Sequence, residues 1–163
     1  MSRTILMHII PNHIKFCLQK SKIQMFGLIG DTFLDSQLFI KHNCIVICFQ
    51  NFQCYLRKLT TNIKGIKHGH IRWLVLRGIG YKITKHPNGF ELKLGFNHLI
   101  QISLIKSTSK FTLINNKLKI WGSCLEQVSL TAKNIKILKK INIYKGNGII
   151  YRDQKIKLKI GKK

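Results

Sequence analysis

The 163-residue sequence predicts an α+β fold, built as two tandem copies of a small antiparallel sheet with one packed helix. Three observations predict it. Short apolar runs broken by turn residues precede an amphipathic helical stretch. The same order then occurs a second time. Finally, the apolar stripes of the two helical stretches overlay after a shift of 73 residues, which sets Phe52, Tyr55 and Leu59 over Leu125, Val128 and Ala132.

In the first copy, "IKFCLQ", "KIQMFG", "LFIKHN" and "CIVICFQ" read as strands, each a run of apolar and β-branched residues bounded by turn formers. "NFQCYLRKLTTNIKG" reads as the helix. Phe52, Tyr55, Leu56, Leu59 and Ile63 share one face, and Gly65 is placed to close it.

In the second copy, "RWLVLRG", "GYKITK", "FELKLGF", "FTLINN" and "KLKIWG" read as strands. "HPNG" at 86–89 is a tight turn, so the runs beside it form a hairpin. Phe90, Leu92, Leu94 and Phe96 alternate with Glu91 and Lys93, the period of a half-buried strand. "SCLEQVSLTAKNIKILKK" reads as the second helix, with Ser123 and Glu126 as a capping box and Leu125, Val128, Ala132 and Ile135 as its apolar stripe. The boundary between copies falls in "KGIKHGHIRW". It divides the chain into an N-terminal repeat, 1–70, and a C-terminal repeat, 71–163, which carries the basic loop and tail.

Charge narrows the function. Lys and Arg number 29 against five acids, a net of +24. Self-repulsion of that size destabilises a compact chain unless a polyanion neutralises it. Nucleic acid is the expected polyanion. An anionic membrane surface would need a basic amphipathic helix or a lipid anchor, and no lipidation motif is present. The longest apolar run, "CIVICF", falls far short of the roughly 18 residues of a span. The cysteines, Cys17, Cys44, Cys48, Cys54 and Cys124, are odd in number with no C-x-x-C pair, which predicts reduced, buried thiols. His42, Cys44, Cys48 and Cys54 match no common zinc spacing. No cofactor or metal is expected.

Residues 133–163 concentrate the charge, with eleven Lys or Arg and one acid, Asp153, a net of +10. Lys133, Lys136, Lys139 and Lys140 lie off the apolar stripe of the second helix. "YKGNG" follows. Gly146 and Gly148 allow close backbone approach, Lys145 and the loop N–H groups can meet phosphate oxygens, and Tyr144 or Tyr151 can stack on a base. The second glycine is not followed by Lys and Ser/Thr, so the loop is not a Walker loop. Then come Arg152 and "KIKLKIGKK", which places Lys155, Lys157, Lys159, Lys162 and Lys163 along either a strand with a lysine edge or a tail that orders on binding. His98 in "GFNH" orders a turn or touches RNA. Arginines number only five. Lysine-heavy surfaces meet phosphates, whereas base-edge readout favours Arg, Asn and Gln, so recognition by shape and backbone is expected.

These motifs bring a family into view. "LRGIGYKITKHPNGFELKLGFNHLIQISL" resembles the start of the second domain in the bacterial-type large-subunit ribosomal protein six ("L-six") family, with Gly78, Gly80, Tyr81, Leu92, Leu94, Gly95, Phe96 and His98 at matching places. "YKGNGIIYRDQKIKLKIGKK" resembles the family's Y-K-G-K-G-I-R-Y ending and basic tail, matching at Tyr144, Lys145, Gly146, Gly148 and Tyr151. The opening "MSRTILMHIIPNHI" is similar to the family's Met-Ser-Arg start and I-P-x-G-V step. Asn147 and Ile150 depart from the family's Lys and Arg. Ile141 and Ile143 stand in place of prolines, and Leu125 and Ser129 in place of Lys and Gly. The resemblance implies a ribosomal protein that binds large-subunit rRNA near the sarcin–ricin loop, mainly through its second domain. It also implies neighbouring ribosomal proteins as partners and translation factors docked nearby. No membrane partner and no small-molecule substrate are implied.

The composition abounds in Ile, Lys, Asn and Phe, with a single alanine, Ala132, as an AT-rich organelle genome would encode. The N-terminus lacks the pattern of a secretory signal or a transit peptide. Together these predict a mitochondrial setting, in a ribosome of the matrix.

Two rivals stand beside this reading. One is a free-standing RNA-binding protein. The other rests on "FGLIGDTFL" at 26–34, which resembles the L-A-G-L-I-D-A-D-G signature of homing endonucleases. That chemistry needs a carboxylate at the end of each of two helices to hold metal ions at the scissile phosphate. Here Gly30 stands where the first acid belongs, and Asp31 is displaced by one. Asp31 and Asp35 are the sole close pair of acids, and the seven histidines form no triad-like pairing. No enzyme is expected.

Overall fold

The computed structural model describes residues 7–9, 14–19, 22–35, 38–41, 44–47, 52–103 and 109–161. The fold is α+β and divides into two compact units. The first comprises residues 1–70 with 122–125, and the second comprises 71–121 with 126–163.

In the first unit, β1 (Met7–Ile9), β6 (Cys44–Ile47) and β5 (Leu38–Lys41) form one sheet in that order. A second is an antiparallel meander of β2 (Lys15–Gln19), β3 (Lys22–Phe26) and β4 (Asp31–Asp35). Alternation on β3 and β4 turns Ile23, Met25 and Leu34 inward, where Ile14 and the stripe of α1 (Phe52–His68) meet them through Leu59 and Ile66. Leu56 and Ile63 flank this core. The expected helix is therefore present, and it runs one turn past the expected closure. Gly65 lies inside α1, where a Cβ would collide with the Ser123 carbonyl and lie 2.7 Å from the His70 ring. The terminating residue is Gly69 at φ 76°, whose N–H donates to the Gly65 carbonyl at 2.9 Å.

"FGLIGDTFL" forms the end of β3, a turn, and β4, so Asp31 opens a strand and ends no helix. Its carbonyl accepts a 2.9 Å hydrogen bond from the Ser123 hydroxyl. This removes the geometry that the nuclease reading requires. It also corrects the capping box: Ser123 lies two residues ahead of α2 (Leu125–Leu138), with its hydroxyl committed to β4.

The second unit has a four-stranded sheet ordered β11 (Lys110–Ile114), β12 (Lys117–Gly122), β7 (His70–Arg77), β13 (Gly148–Tyr151). A three-stranded meander is ordered β10 (Ile100–Ser103), β9 (Gly89–Lys93), β8 (Lys82–His86). His86 faces Gly89 across the expected two-residue turn. Leu74, Leu76, Leu118, Ile120 and Ile149 of the larger sheet, Phe90 and Leu92 of the smaller, and Val128, Ala132 and Ile135 of α2 share one core. Among the described residues each unit thus has one helix, with its strands divided between two sheets. Phe96 departs from the predicted alternation, because β9 ends at Lys93 and the ring stands on the loop beyond, 39% exposed.

Cys17 and Cys54 are exposed and Cys124 is half-buried, which corrects the expectation of buried thiols for these three; the side chains of Cys44 and Cys48 lie outside the described residues. Among the described residues no group of three or more ligating side chains could hold a metal. His42 and Cys48 lie outside the described residues. No helix among those described is long and apolar enough to cross a membrane.

Candidate nucleic-acid interface

α2 buries Val128, Ala132 and Ile135, and this rotation fixes where its lysines go. Lys133 is exposed and Lys136 half-buried on the remaining helix surface. Lys139 and Lys140 follow its last residue, close to the carbonyl end of the helix where cations are favoured. Lys136 is held: its Nζ donates to Gln154 Oε1 at 2.8 Å and lies 4.5 Å from the centre of the Tyr151 ring.

The loop after α2 is organised by Asn142. Its Oδ1 accepts from the N–H of Tyr144 at 2.9 Å and of Lys145 at 3.4 Å, an Asx turn. Its carbonyl accepts from Gly146 N–H at 2.7 Å, and its own N–H donates to the Asn147 carbonyl at 2.9 Å. The N–H groups of Asn142, Tyr144, Lys145 and Gly146 are therefore spent inside the chain, which corrects the expectation that these face phosphate. The loop offers side chains instead, with Tyr144 61% exposed and Lys145 exposed beside it.

Gly148 serves a different purpose from the one its motif suggests. A Cβ there would lie 2.7 Å from Ile141 Cα and 2.9 Å from the Lys140 carbonyl, and the residue sits at φ 149°. The close approach it permits is to this chain's own backbone. It lets Ile149 donate to the Lys139 carbonyl at 3.1 Å as β13 joins the sheet against β7. Tyr151 is likewise occupied, half-buried against the core, so Tyr144 is the tyrosine open to a ligand.

The tail forms neither strand nor helix from Gln154 to Gly161. Lys159 N–H donates to the Ile143 carbonyl at 3.2 Å, and this bond ties the tail beneath the loop. Lys155, Lys157 and Lys159 are exposed, as is Arg152. Lys162 and Lys163 lie outside the described residues.

His98 arrives from the other side. It stacks on Phe96, with centroids 5.8 Å apart and planes 17° from parallel, and Lys139 Nζ lies 3.9 Å from the Phe96 ring centre. The "GFNH" loop and the end of α2 thus meet in one cation–aromatic cluster. Among the described residues no lysine or arginine pairs with a carboxylate; His86 Nε2 lies 3.0 Å from Glu91 Oε2. Glu91 also accepts from Gln101 at 2.9 Å, and both line a pocket of about 250 Å³. The cations of 133–161 are left without internal neutralisation, the arrangement expected of a surface that meets phosphates.

No protein-family model matches the chain. Curated relatives do. It is 31% identical over 143 residues to large ribosomal subunit protein uL6 of Aliarcobacter butzleri, covering 87% of this chain and 80% of that protein. It is 36% identical over 107 residues to uL6 of Oleidesulfovibrio alaskensis, covering 65% and 59%. With uL6 of Tropheryma whipplei it shares 33% over 104 residues, which spans 64% of this chain and 58% of the relative.

Proposed function

The chain belongs to the uL6 family of large ribosomal subunit proteins, and from that premise we propose that it is a structural constituent of the large ribosomal subunit. The relatives are named as ribosomal proteins, and the chain is not an enzyme. The observation that carries the proposal is the 31% identity over 143 residues to the A. butzleri protein. It binds large-subunit rRNA near the sarcin–ricin loop, chiefly through the second unit, residues 71–163, with neighbouring ribosomal proteins around it and translation factors docking close by. Support comes from the run of cations over 133–161, none with a carboxylate partner among the described residues, and from the cluster of Lys139, Phe96 and His98.

Lys133, Lys140, Lys145, Arg152, Lys155, Lys157 and Lys159 supply phosphate contacts from exposed positions, and Lys162 and Lys163 extend the series. Lys136 and Lys139 are positioned by aromatic rings, and Tyr144 offers a face to a base or sugar. Gly146, Gly148 and Tyr151 act indirectly, by shaping the loop and seating β13. The setting is a mitochondrial ribosome, as the Ile-, Lys- and Asn-rich composition suggests.

The test is sedimentation. Large subunits purified from mitochondria of the source cell should carry the chain through a high-salt wash at one copy each. Release by the wash would favour a free-standing RNA-binding protein, and recovery with ribosomes outside mitochondria would overturn the compartment.

A further inference from the structure

We propose that the outer face of the four-stranded sheet in the second unit is a second RNA-contact surface, where Lys110, Lys117 and Lys119 meet phosphates and Trp73 and Trp121 receive unpaired bases. This rests on the reading of the chain as an rRNA-binding protein and adds a surface on the opposite side of the sheet from α2.

The two faces of the sheet are separated by strand alternation. Leu74, Leu76, Leu118 and Ile120 point into the core shared with α2. The intervening residues therefore point away from it. Register places them side by side: Lys110 stands opposite Trp121, Thr112 opposite Lys119, and Ile114 opposite Lys117. Contacts across the strands confirm the shared face. Lys110 Nζ lies 5.0 Å from the Trp121 ring centre, Lys119 Nζ 5.7 Å from that of Trp73, and the Arg152 guanidinium 5.9 Å from the same ring. Ile71 and Ile114 on this side are 47% and 48% exposed, so the face reaches solvent. Ile150 on the same side is buried, which confines the open area to β11, β12 and β7.

Charge and chemistry then select the occupant. None of the five acids of the chain lies on these four strands, and among the described residues none of these lysines pairs with a carboxylate. An indole attracts a cation to its face and restricts the lysine chain, which lowers the ordering cost when a phosphate arrives. Cations interleaved with flat aromatic rings suit a nucleic-acid strand, whose phosphates and bases need both. An acidic protein surface would need the cations alone.

The experiment uses a property of the sequence: Trp73 and Trp121 are its only tryptophans, so indole emission reports on this face. The full chain is titrated with an RNA stem-loop from the large-subunit rRNA. Anisotropy of a labelled copy reads binding, and tryptophan emission reads the face. We expect emission to fall over the same concentrations at which anisotropy rises. Replacing Lys110, Lys117 and Lys119 by Gln should lower the salt slope by about 0.7 to 0.9 per lost phosphate contact and reduce the quench. The corresponding tail variant should keep the quench. Binding by anisotropy with unchanged emission and an unchanged slope in the Lys variant would overturn the proposal while leaving rRNA binding intact. No binding by anisotropy would defeat the rRNA reading itself. Equal quenching by poly-glutamate at matched charge would overturn the proposal in favour of an acidic protein partner.

Discussion

The ammonium of Lys139 sits 3.9 Å from the centre of the Phe96 ring, and that ring also carries the imidazole of His98 stacked upon it. Two cation-capable groups 41 residues apart in sequence are thus held by one exposed phenyl group. Phe96 is 39% exposed, so packing gives little reason for a large aromatic residue at this position.

Phe96→Leu should therefore act on binding more than on folding. A cation–π contact at an exposed site is worth about 0.5–1 kcal/mol, so RNA affinity should fall roughly two- to fivefold. Urea unfolding should stay within about 0.5 kcal/mol of wild type. A filter-binding isotherm alongside a denaturation curve checks both, and a large stability loss with intact affinity would reverse the assignment.

Removing the tail cations should change the ionic-strength dependence. With Lys157, Lys159, Lys162 and Lys163 all replaced by Gln, the log–log salt slope of RNA binding should shrink by about 0.7 to 0.9 for each contact removed. An unaltered slope would mean that these side chains face only water.

Gly148→Ala should unfold the second unit more readily. The added methyl would press on Ile141 Cα and the Lys140 carbonyl, and neither is a flexible side chain that can move aside. Overpacking costs about 1–3 kcal/mol, and a non-glycine residue at a strained positive φ adds about 1–3 more. The expected loss is at least ~2 kcal/mol in chemical denaturation, with the hydrogen bond from Ile149 to Lys139 the first to exchange.

Asn142→Ala tests the loop. Tyr144 and Lys145 would lose their shared acceptor, at a cost of about 1 kcal/mol. Amide exchange at these two residues should accelerate, while Ile149 stays protected by its separate partner, Lys139. Unchanged exchange at Tyr144 would show that the side-chain oxygen does not organise the turn.

Much of the fold was legible from periodicity and turn chemistry. The hairpin at His86–Gly89, the strand Lys117–Gly122 and the stripe of Val128, Ala132 and Ile135 all follow local rules. What failed depended on distant chain. Gly65 has the local signature of a helix stop, yet it is the place where α1 lies against the Ser123 carbonyl, 58 residues on. "KIKLKIGKK" alternates like a strand, but alternation creates no partner edge, and its described part, residues 155–161, stays outside the sheets. "GIIY" continues the loop and tail in sequence, though it completes the sheet against β7. The basic character of 133–163 was plain from composition, whereas the spent N–H groups of the loop were not, because they turn on where one asparagine side chain points. Trp73 and Trp121 sharing a face could be read only from strand register.

The tail leaves the body of the protein in steps. Ile156 is half-buried, Leu158 is 58% exposed and Ile160 97% exposed. A protease cutting within residues 154–161 would meet successively better protected bonds toward Tyr151, whose ring lies on the core. Trimming would yield a ladder of shortened but intact chains, each with fewer cations. The strength of the electrostatic attachment could thus be graded without unfolding the domain that carries it.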